Sequence, residues 1–260
     1  MKKGVLLMYQ THDSDPETPV QPYKKKYFHP LPSFLPYFEN DGFNQMNIHH
    51  LLKPYSPAPI LYRDCDILGL IPIEADNYCQ TFILYQNNFA YVDRPPYYII
   101  SQLLKEESEM DFETYRKAFQ HLSKSKTTVI PFATGRYSLI PLGPVRSKMT
   151  IWINPGQLVR MEPHKMNTLL YMTNHFTIKS DRLTRSLATR LSRGVFFQAV
   201  FKREFDAYSC SSYTHLLDYL DLPSTTVTRE IIGDNRFKDI PFNKGDFQKS
   251  YEKLSIKKDD

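Results

Sequence analysis

The sequence predicts an α+β fold: a β-rich mixed sheet with mostly antiparallel strands, inserted helices and a long helix after the last hairpin. Two blocks of short runs rich in β-branched and aromatic residues, within residues 66–92 and 127–180, are typical of strands. The segment between them has apolar residues at helical spacing. After Ser180 the apolar period changes from two to nearly four, which predicts the long helix.

The 260 residues divide into three predicted regions. Residues 1–60 hold a first strand, Val5 to Tyr9, and an arm whose many prolines oppose regular structure. Residues 61–205 are the predicted core, which combines the two strand blocks and the helices between and after them. Residues 206–260 form a helical and charged C-terminal tail, with a short helix before Pro223 and weak order expected at its end.

The first strand block predicts a pair, "DILGLIPI" (Asp66 to Ile73) and "CQTFILYQ" (Cys79 to Gln86), then a turn at Asn87-Asn88 and the strand "FAYV". Two helices follow, "YYIISQLLKEE" and "DFETYRKAFQHL". Asp111 is the expected N-cap of the second helix, because its carboxylate can accept hydrogen bonds from the free N–H groups of the first turn.

The second block predicts the strands "TTVIPF", "YSLIPL" and "KMTIWIN", and then a hairpin of "TLLYM" and "FTIKS" around Thr173-Asn174-His175. Asn174 suits the turn because asparagine tolerates the left-handed conformation. Ser180 or Asp181 is the expected N-cap of the long helix. Its predicted apolar stripe consists of Leu183, Leu187, Leu191 and Val195.

Composition narrows the class of protein. No apolar run reaches the roughly 20 residues that span a bilayer, so no membrane contact is expected. The first residues lack the apolar core and cleavage site of a signal peptide, and the three cysteines are widely spaced, which favours reduced thiols and a cytoplasmic location. The net charge of +5 permits a polyanionic partner without requiring one.

Motifs of catalysis are missing from the sequence. "ATGRYSLIPLG" lacks the spacing and the lysine of a phosphate-binding loop. His49 and His50 are adjacent, which does not aim two ligands at one metal ion, and Cys210 lacks a nucleophile-elbow setting. We therefore expect neither an enzyme nor a cofactor or metal site.

The sharpest charge asymmetry of the chain lies in the predicted long helix and just before it. Between Lys179 and Arg203 one acid, Asp181, stands against seven basic residues: Lys179, Arg182, Arg185, Arg190, Arg193, Lys202 and Arg203. Basic side chains that neutralise phosphates release condensed counterions, so several together give affinity for nucleic acid. The alternative is that they only solvate the outer face of an amphipathic helix, and charge alone slightly favours this alternative.

The order of the motifs is more specific than any one of them. "ILGLIPI" and "QTFILYQ" precede "YRKAF" (Tyr115 to Phe119) and "SKSKTTVIPF" (Ser123 to Phe132). "YSLIPLGPVRSKMTIWIN" then combines an aromatic strand ending in proline, a polar loop and a strand with Trp, Ile and Asn, and "TLLYMTNHFTIKSD" a strand, an Asn turn and a strand. In this order the segment from about Ile67 to Phe201, half of the chain, resembles the ComK family of competence transcription factors of Gram-positive bacteria. The family's turn commonly has Asn-Gly, where this chain has Asn174-His175.

The resemblance implies a sequence-specific DNA-binding transcriptional activator of the genes for competence, that is, for DNA uptake. It implies binding of paired A/T-rich sites as a homo-oligomer, through minor-groove and phosphate contacts. A narrow A/T minor groove has an enhanced negative potential that attracts arginine. One branch of the family uses a C-terminal aromatic element, to which "YLDLP" (Tyr219 to Pro223) is similar, for a proteolytic adaptor, which would be a further partner.

Charge placement, rather than the family, selects the candidate contacts. We predict that six basic residues contact phosphate or the minor groove: Arg136, Arg146, Lys148, Arg182, Arg190 and Arg193. In "RSKMTIWIN", Trp152 is the expected anchor of a strand, packed inward or at a subunit contact. Two other functions remain open: a non-enzymatic protein-interaction module, and a metal-dependent nuclease that uses acids such as Asp64, Asp66 and Glu74.

Overall fold

The strands that the structure describes form two antiparallel sheets. The computed structural model describes residues 29–30, 58, 66–75, 78–122, 129–205, 220, 222–233 and 243–259. Most of the predicted arm with its first strand, and most of the short helix predicted before Pro223, lie outside the described residues. In the described part of the chain every strand pair is antiparallel, and the predicted α+β class is confirmed.

The larger sheet has seven strands in the described part of the chain, in the order β1-β4-β3-β2-β7-β6-β5. Strand β2 contains Pro72, which has no N–H to donate. Only Gly69 and Leu70 of this strand pair with β7, so Pro72 faces no partner strand on the β7 side and its missing N–H leaves no hydrogen bond unmade there. The strands are β1 (His29–Pro30), β2 (Gly69–Ala75), β3 (Tyr78–Leu84), β4 (Asn88–Val92), β5 (Phe132–Ala133), β6 (Ser138–Pro141) and β7 (Trp152–Ile153).

The smaller sheet has the order β10-β9-β8, and its strands are β8 (Leu158–His164), β9 (Asn167–Met172) and β10 (Thr177–Ser180). The predicted β9–β10 hairpin is confirmed, but the left-handed residue of its turn is His175 (φ 66°), not Asn174. Asn174 instead accepts a hydrogen bond from Phe176 N (3.1 Å) and donates one to Tyr85 O (3.0 Å). Its amide thus ties the turn to the larger sheet.

Five helices lie in the described part of the chain: α1 (Pro96–Ser108), α2 (Phe112–Leu122), α3 (Thr184–Phe205), α4 (Thr226–Gly233) and α5 (Asp246–Asp259). The predicted cap of α2 is confirmed, because Asp111 Oδ1 accepts from Thr114 N at 3.0 Å. No helix in these ranges is both long and apolar enough to cross a bilayer.

The long helix α3 starts later than predicted. Leu183 precedes it and is 60% exposed, so its place in the apolar stripe was wrong, whereas Leu187, Leu191 and Val195 are buried. Ser180 Oγ accepts from Arg182 N (3.2 Å), which shapes the turn before the helix instead of capping it. The short polar residue therefore acts locally in a turn, an alternative that competes with helix capping.

Helix α3 approaches the larger sheet closely at Gly194. A Cβ atom at this position would clash with Ile140 Cγ2 of β6, so only glycine allows the Ile140 side chain to pack directly on the helix backbone. Gln198 on the same helix donates from Nε2 to Arg136 O at 2.9 Å, just before β6. The middle of α3 is thus held against β6 by close packing and by a hydrogen bond.

The end of the chain belongs to the core. Phe247 of α5 is buried between Phe119 and Tyr115 of α2 and Phe201 of α3, with ring centroids 4.5 to 5.8 Å apart. Glu204 accepts hydrogen bonds from the N–H groups of Gly245 and Gln248, which open α5. The expectation of weak order at the end of the tail was wrong for Asp246–Asp259.

The inner face of the smaller sheet packs on the larger one. Phe176 stacks on Phe82 of β3, with centroids 6.1 Å apart, and Ile178 lies beside Gly69 of β2, where a Cβ would be 3.8 Å from its Cδ1.

Trp152 is fully buried and meets Phe112 edge to face at 6.4 Å. This confirms that Trp152 packs inward.

Candidate nucleic-acid interface

Two of the predicted arginines reach the same stretch of backbone. Arg182 Nε donates to Leu142 O at 2.9 Å, and Arg190 Nη1 donates to Pro141 O at 3.0 Å, at the end of β6. Neighbouring carbonyls therefore bring the guanidinium groups together, although Arg182 lies outside α3 and Arg190 within it. A guanidinium group has five N–H donors, so each keeps further donors for an anion.

Carboxylates compensate this positive charge only weakly. In the described part of the chain Arg190 and Arg193 form no ion pair, and Arg182 pairs with Asp181, which is 85% exposed, at 3.8 Å. Burial, together with the charges of Arg182 and Arg193, lowers the pKa of Arg190. Burial likewise lowers the pKa of Arg193. The folded protein thus holds these cations at an energetic cost.

A cleft of about 430 Å³ opens beside Arg182. One wall is the β6–β7 loop from Leu142 to Ile151, and the other comes from Lys179 to Arg182 at the end of β10. The loop is compact because Thr150 Oγ1 donates to Pro144 O (2.6 Å) and Ser147 N donates to the same carbonyl (3.0 Å). The cleft is therefore an ordered recess with cationic side chains on one wall.

The predicted contacts Arg146 and Lys148 lie on this loop, and both are exposed. Arg146 already has a partner: its Nη2 is 3.0 Å from Glu113 Oε1, which raises its pKa. The Lys148 side chain is exposed, while its carbonyl accepts from Cys79 Sγ at 3.3 Å. Of the two, Lys148 keeps more of its charge available to an anion.

Arg136 lies apart from the other predicted contacts. It belongs to the β5–β6 turn, and its Nη2 is 2.8 Å from Asp66 Oδ1. The Arg136 carbonyl accepts a hydrogen bond from Gln198. Gln198 lies eight residues after Arg190 on α3, which is about 12 Å along the helix axis. The structure therefore brings together Arg182, Arg190 and Arg193, places Lys148 and Arg146 across the cleft, and leaves Arg136 at another edge of the sheet.

The outward face of the smaller sheet adds residues that were not among the six predicted contacts. Arg160 lies over the ring of Tyr171, 4.2 Å from its centroid, and the Tyr171 hydroxyl donates to Glu162 Oε2 at 2.9 Å. Lys179 shares this face, since its strand partner Leu169 points outward with Tyr171. The sequence signal that could have identified this face is the alternation of Arg160, Glu162 and His164 at a period of two, which is typical of an exposed strand face.

Two of the acids suggested for a nuclease, Asp66 and Glu74, lie far apart along the chain. Asp66 is paired with Arg136, and eight residues of extended chain, roughly 26 Å, separate it from Glu74. Asp64 lies outside the described residues. Within the described ranges no group of three or more His, Cys, Asp or Glu residues could hold a metal ion.

No protein-family model, curated protein or solved structure matches the chain. The resemblance to the ComK family therefore remains a hypothesis that rests on the order of the sequence motifs.

Proposed function

We propose that the chain is a DNA-binding activator of competence genes that binds A/T-rich duplex DNA through phosphate and minor-groove contacts. The observation that carries the proposal is the group formed by Arg182, Arg190 and Arg193 beside the cleft, which we call the arginine cluster. Backbone carbonyls orient two of its members, and carboxylates compensate it weakly. This is an arrangement suited to an anionic partner.

Electrostatics favour a phosphate ligand over simple solvation of the surface. Cations that only solvate a helix face stand apart in water, whereas Arg190 is half-buried and its pKa is lowered by burial and by the neighbouring Arg182 and Arg193. A bound phosphate would offset both contributions, because an opposite charge favours the ionised form. It would also release counterions from DNA.

Duplex DNA of A/T-rich sequence fits the residue types. Arginine is weakly hydrated and forked, which suits it to phosphate and to the narrow minor groove of A-tracts. Lys148 and Lys179 extend the positive charge from the cluster to the two sides of the cleft, and Arg160, which is paired with Glu162, lies on the outward face of the smaller sheet. The role in competence rests on the ComK-like order of the motifs.

The test is fluorescence anisotropy with an A/T-rich and a G/C-rich duplex at several salt concentrations. We expect tighter binding of the A/T-rich duplex. Replacing the arginine cluster by alanine should weaken binding and reduce the salt slope by up to about three, one unit for each phosphate that is no longer neutralised. Lys253→Ala on the exposed side of α5 is the matched control and should change neither value.

Two outcomes would contradict the proposal. Unchanged affinity and salt slope in the triple variant would show that the arginine cluster only solvates the surface. No binding of either duplex at low salt would favour the protein-interaction module instead. The role in competence needs its own measurement: an uptake-gene promoter fused to a reporter should be activated by the protein and not by the triple variant.

A further inference from the structure

The hairpin of β8 and β9 carries an unusual tip. His164 pairs with Asn167, so Lys165 and Met166 alone form the turn. All residues from Pro163 to Met166 are exposed, and Met166 is 77% exposed. Lys165 has a φ of 55°, in the left-handed region that favours glycine. A lysine and a bare methionine thus occupy a turn where glycine or asparagine would cost less.

The tip is continuous with the arginine cluster. Asn167, the strand partner of His164, lines the same cleft as Lys179 and Arg182. From there the outward face of the hairpin runs along Arg160, whose guanidinium is held over Tyr171. Glu162 is the one acid between Leu158 and Met172, and it is engaged by Tyr171 and Arg160. The outward face between the cluster and the tip therefore has a net positive charge, because Lys179, Arg160 and Lys165 outnumber Glu162.

We propose that the tip of the β8–β9 hairpin enters the minor groove, with Met166 as a wedge against a base step and Lys165 beside the phosphates. This assignment rests on the proposed function. A two-stranded ribbon is narrow at its end, and minor-groove proteins commonly insert apolar side chains, methionine included, between base steps that they partly unstack. A solvated methionine beside a cation and a histidine supplies such a wedge together with its electrostatic guide.

The methionine is tested by base unstacking. An A/T-rich duplex carrying 2-aminopurine at its central steps fluoresces more strongly when a base is unstacked. We expect the wild-type protein to raise this fluorescence, Met166→Leu to retain the rise, and Met166→Ala to lose it while still binding. Ile256→Ala, which removes a 67% exposed isoleucine from α5, is the matched control and should behave as wild type.

The lysine is tested separately from the stability of the turn. Lys165→Gly removes the charge but suits a φ of 55°, so we expect thermal stability to be kept or raised. DNA binding should nevertheless weaken, and the salt slope should fall by about one.

The outcomes separate this inference from the proposed function. If the wild-type protein binds A/T-rich DNA and the cluster variant binds it weakly, but Met166→Ala keeps the full fluorescence rise, the wedge is wrong and the function stands. If the wild-type protein binds no duplex at low salt, both are overturned.

Discussion

The two sheets use their faces in different ways. The strands β2, β3, β4 and β6 of the larger sheet are mostly buried, and apolar residues there follow one another along the strand. Strand β9 of the smaller sheet alternates, with Thr168, Leu170 and Met172 inside and their neighbours partly exposed. A sheet that is buried on both faces contributes to the core, whereas a sheet with one solvent-exposed face also has side chains that can contact a partner. We therefore expect the larger sheet to contribute mainly to stability, while the free face of the smaller sheet and the arginine cluster at the end of β6 remain available to a partner.

The largest effect is expected in the larger sheet. Trp152→Ala removes a fully buried ring beside Phe112 and should lower the free energy of unfolding by about 3–5 kcal/mol, measured by urea denaturation. Trp152→Phe should cost much less, because it keeps an aromatic ring and removes an indole N–H that has no acceptor in the described structure. Equal losses in the two variants would contradict this account of the site.

The contact between α3 and the larger sheet comes next. Gly194→Ala forces a methyl group into Ile140 and should destabilise the protein by about 1–3 kcal/mol in the same assay. Gly233→Ala is the matched control, because nothing lies within 4 Å of a Cβ at the end of α4, and it should be neutral or stabilising. A neutral Gly194→Ala would mean that the helix and the sheet can separate easily.

An effect of intermediate size, on the pH dependence of stability, is expected at Glu113 of α2, which pairs with Arg146 of the β6–β7 loop. Burial would raise the pKa of Glu113, but hydrogen bonds from Arg116, Arg146 and Tyr97 outweigh it and lower the pKa. A lowered carboxyl pKa stabilises the fold above the unfolded value of about 4.3, and this stabilisation is lost as the pH falls through the lower folded value. Glu113→Gln should therefore destabilise the protein at neutral pH, with a loss that shrinks in acid. The exposed Glu230→Gln should show no such trend.

The smallest effect on stability is expected at the arginine cluster. Arg190→Met keeps most of the aliphatic stem and removes both a half-buried cation and its hydrogen bond to Pro141 O, so two opposing effects should leave the free energy of unfolding changed by less than about 1 kcal/mol. DNA affinity should fall in the same variant, whereas Arg190→Lys should keep more of it. A large loss of stability in Arg190→Met would show that this arginine mainly supports the fold through its bond to Pro141 O.

The sequence predicted the elements whose signals are local. The strands β2, β3 and β4, the cap of α2 and the β9–β10 hairpin follow from alternation, turn residues and one carboxylate. Strand β8 was missed because Pro163 and three charged or polar residues make it resemble a loop, although proline is tolerated at a sheet edge. Its turn at Lys165-Met166 lacks a glycine or asparagine signal.

Tertiary contacts account for the remaining differences. Helix α5 packs on the core through Phe247, Tyr251 and Leu254, which follow helical spacing. The many charged residues between them made this apolar pattern hard to recognise in the sequence. For the site, charge asymmetry grouped Arg182, Arg190 and Arg193, and the structure also brings them together, although Arg182 lies outside α3; their contact with DNA stays a prediction. It could not show that Arg136 and Arg146 have acidic partners, because Asp66 and Glu113 are distant in sequence.

The close approach at Gly194 has a mechanical consequence. With Ile140 against the helix backbone and Gln198 bonded to Arg136 O, α3 cannot shift relative to β6 without losing packing, so the arginine cluster is carried on a stiff frame. A stiff protein surface changes its shape little on binding, so a bound duplex would have to deform to fit it. If the chain binds DNA as proposed, we expect its affinity for different A/T-rich sequences to depend on the free energy needed to bend each duplex and narrow its minor groove, in addition to any contacts with bases.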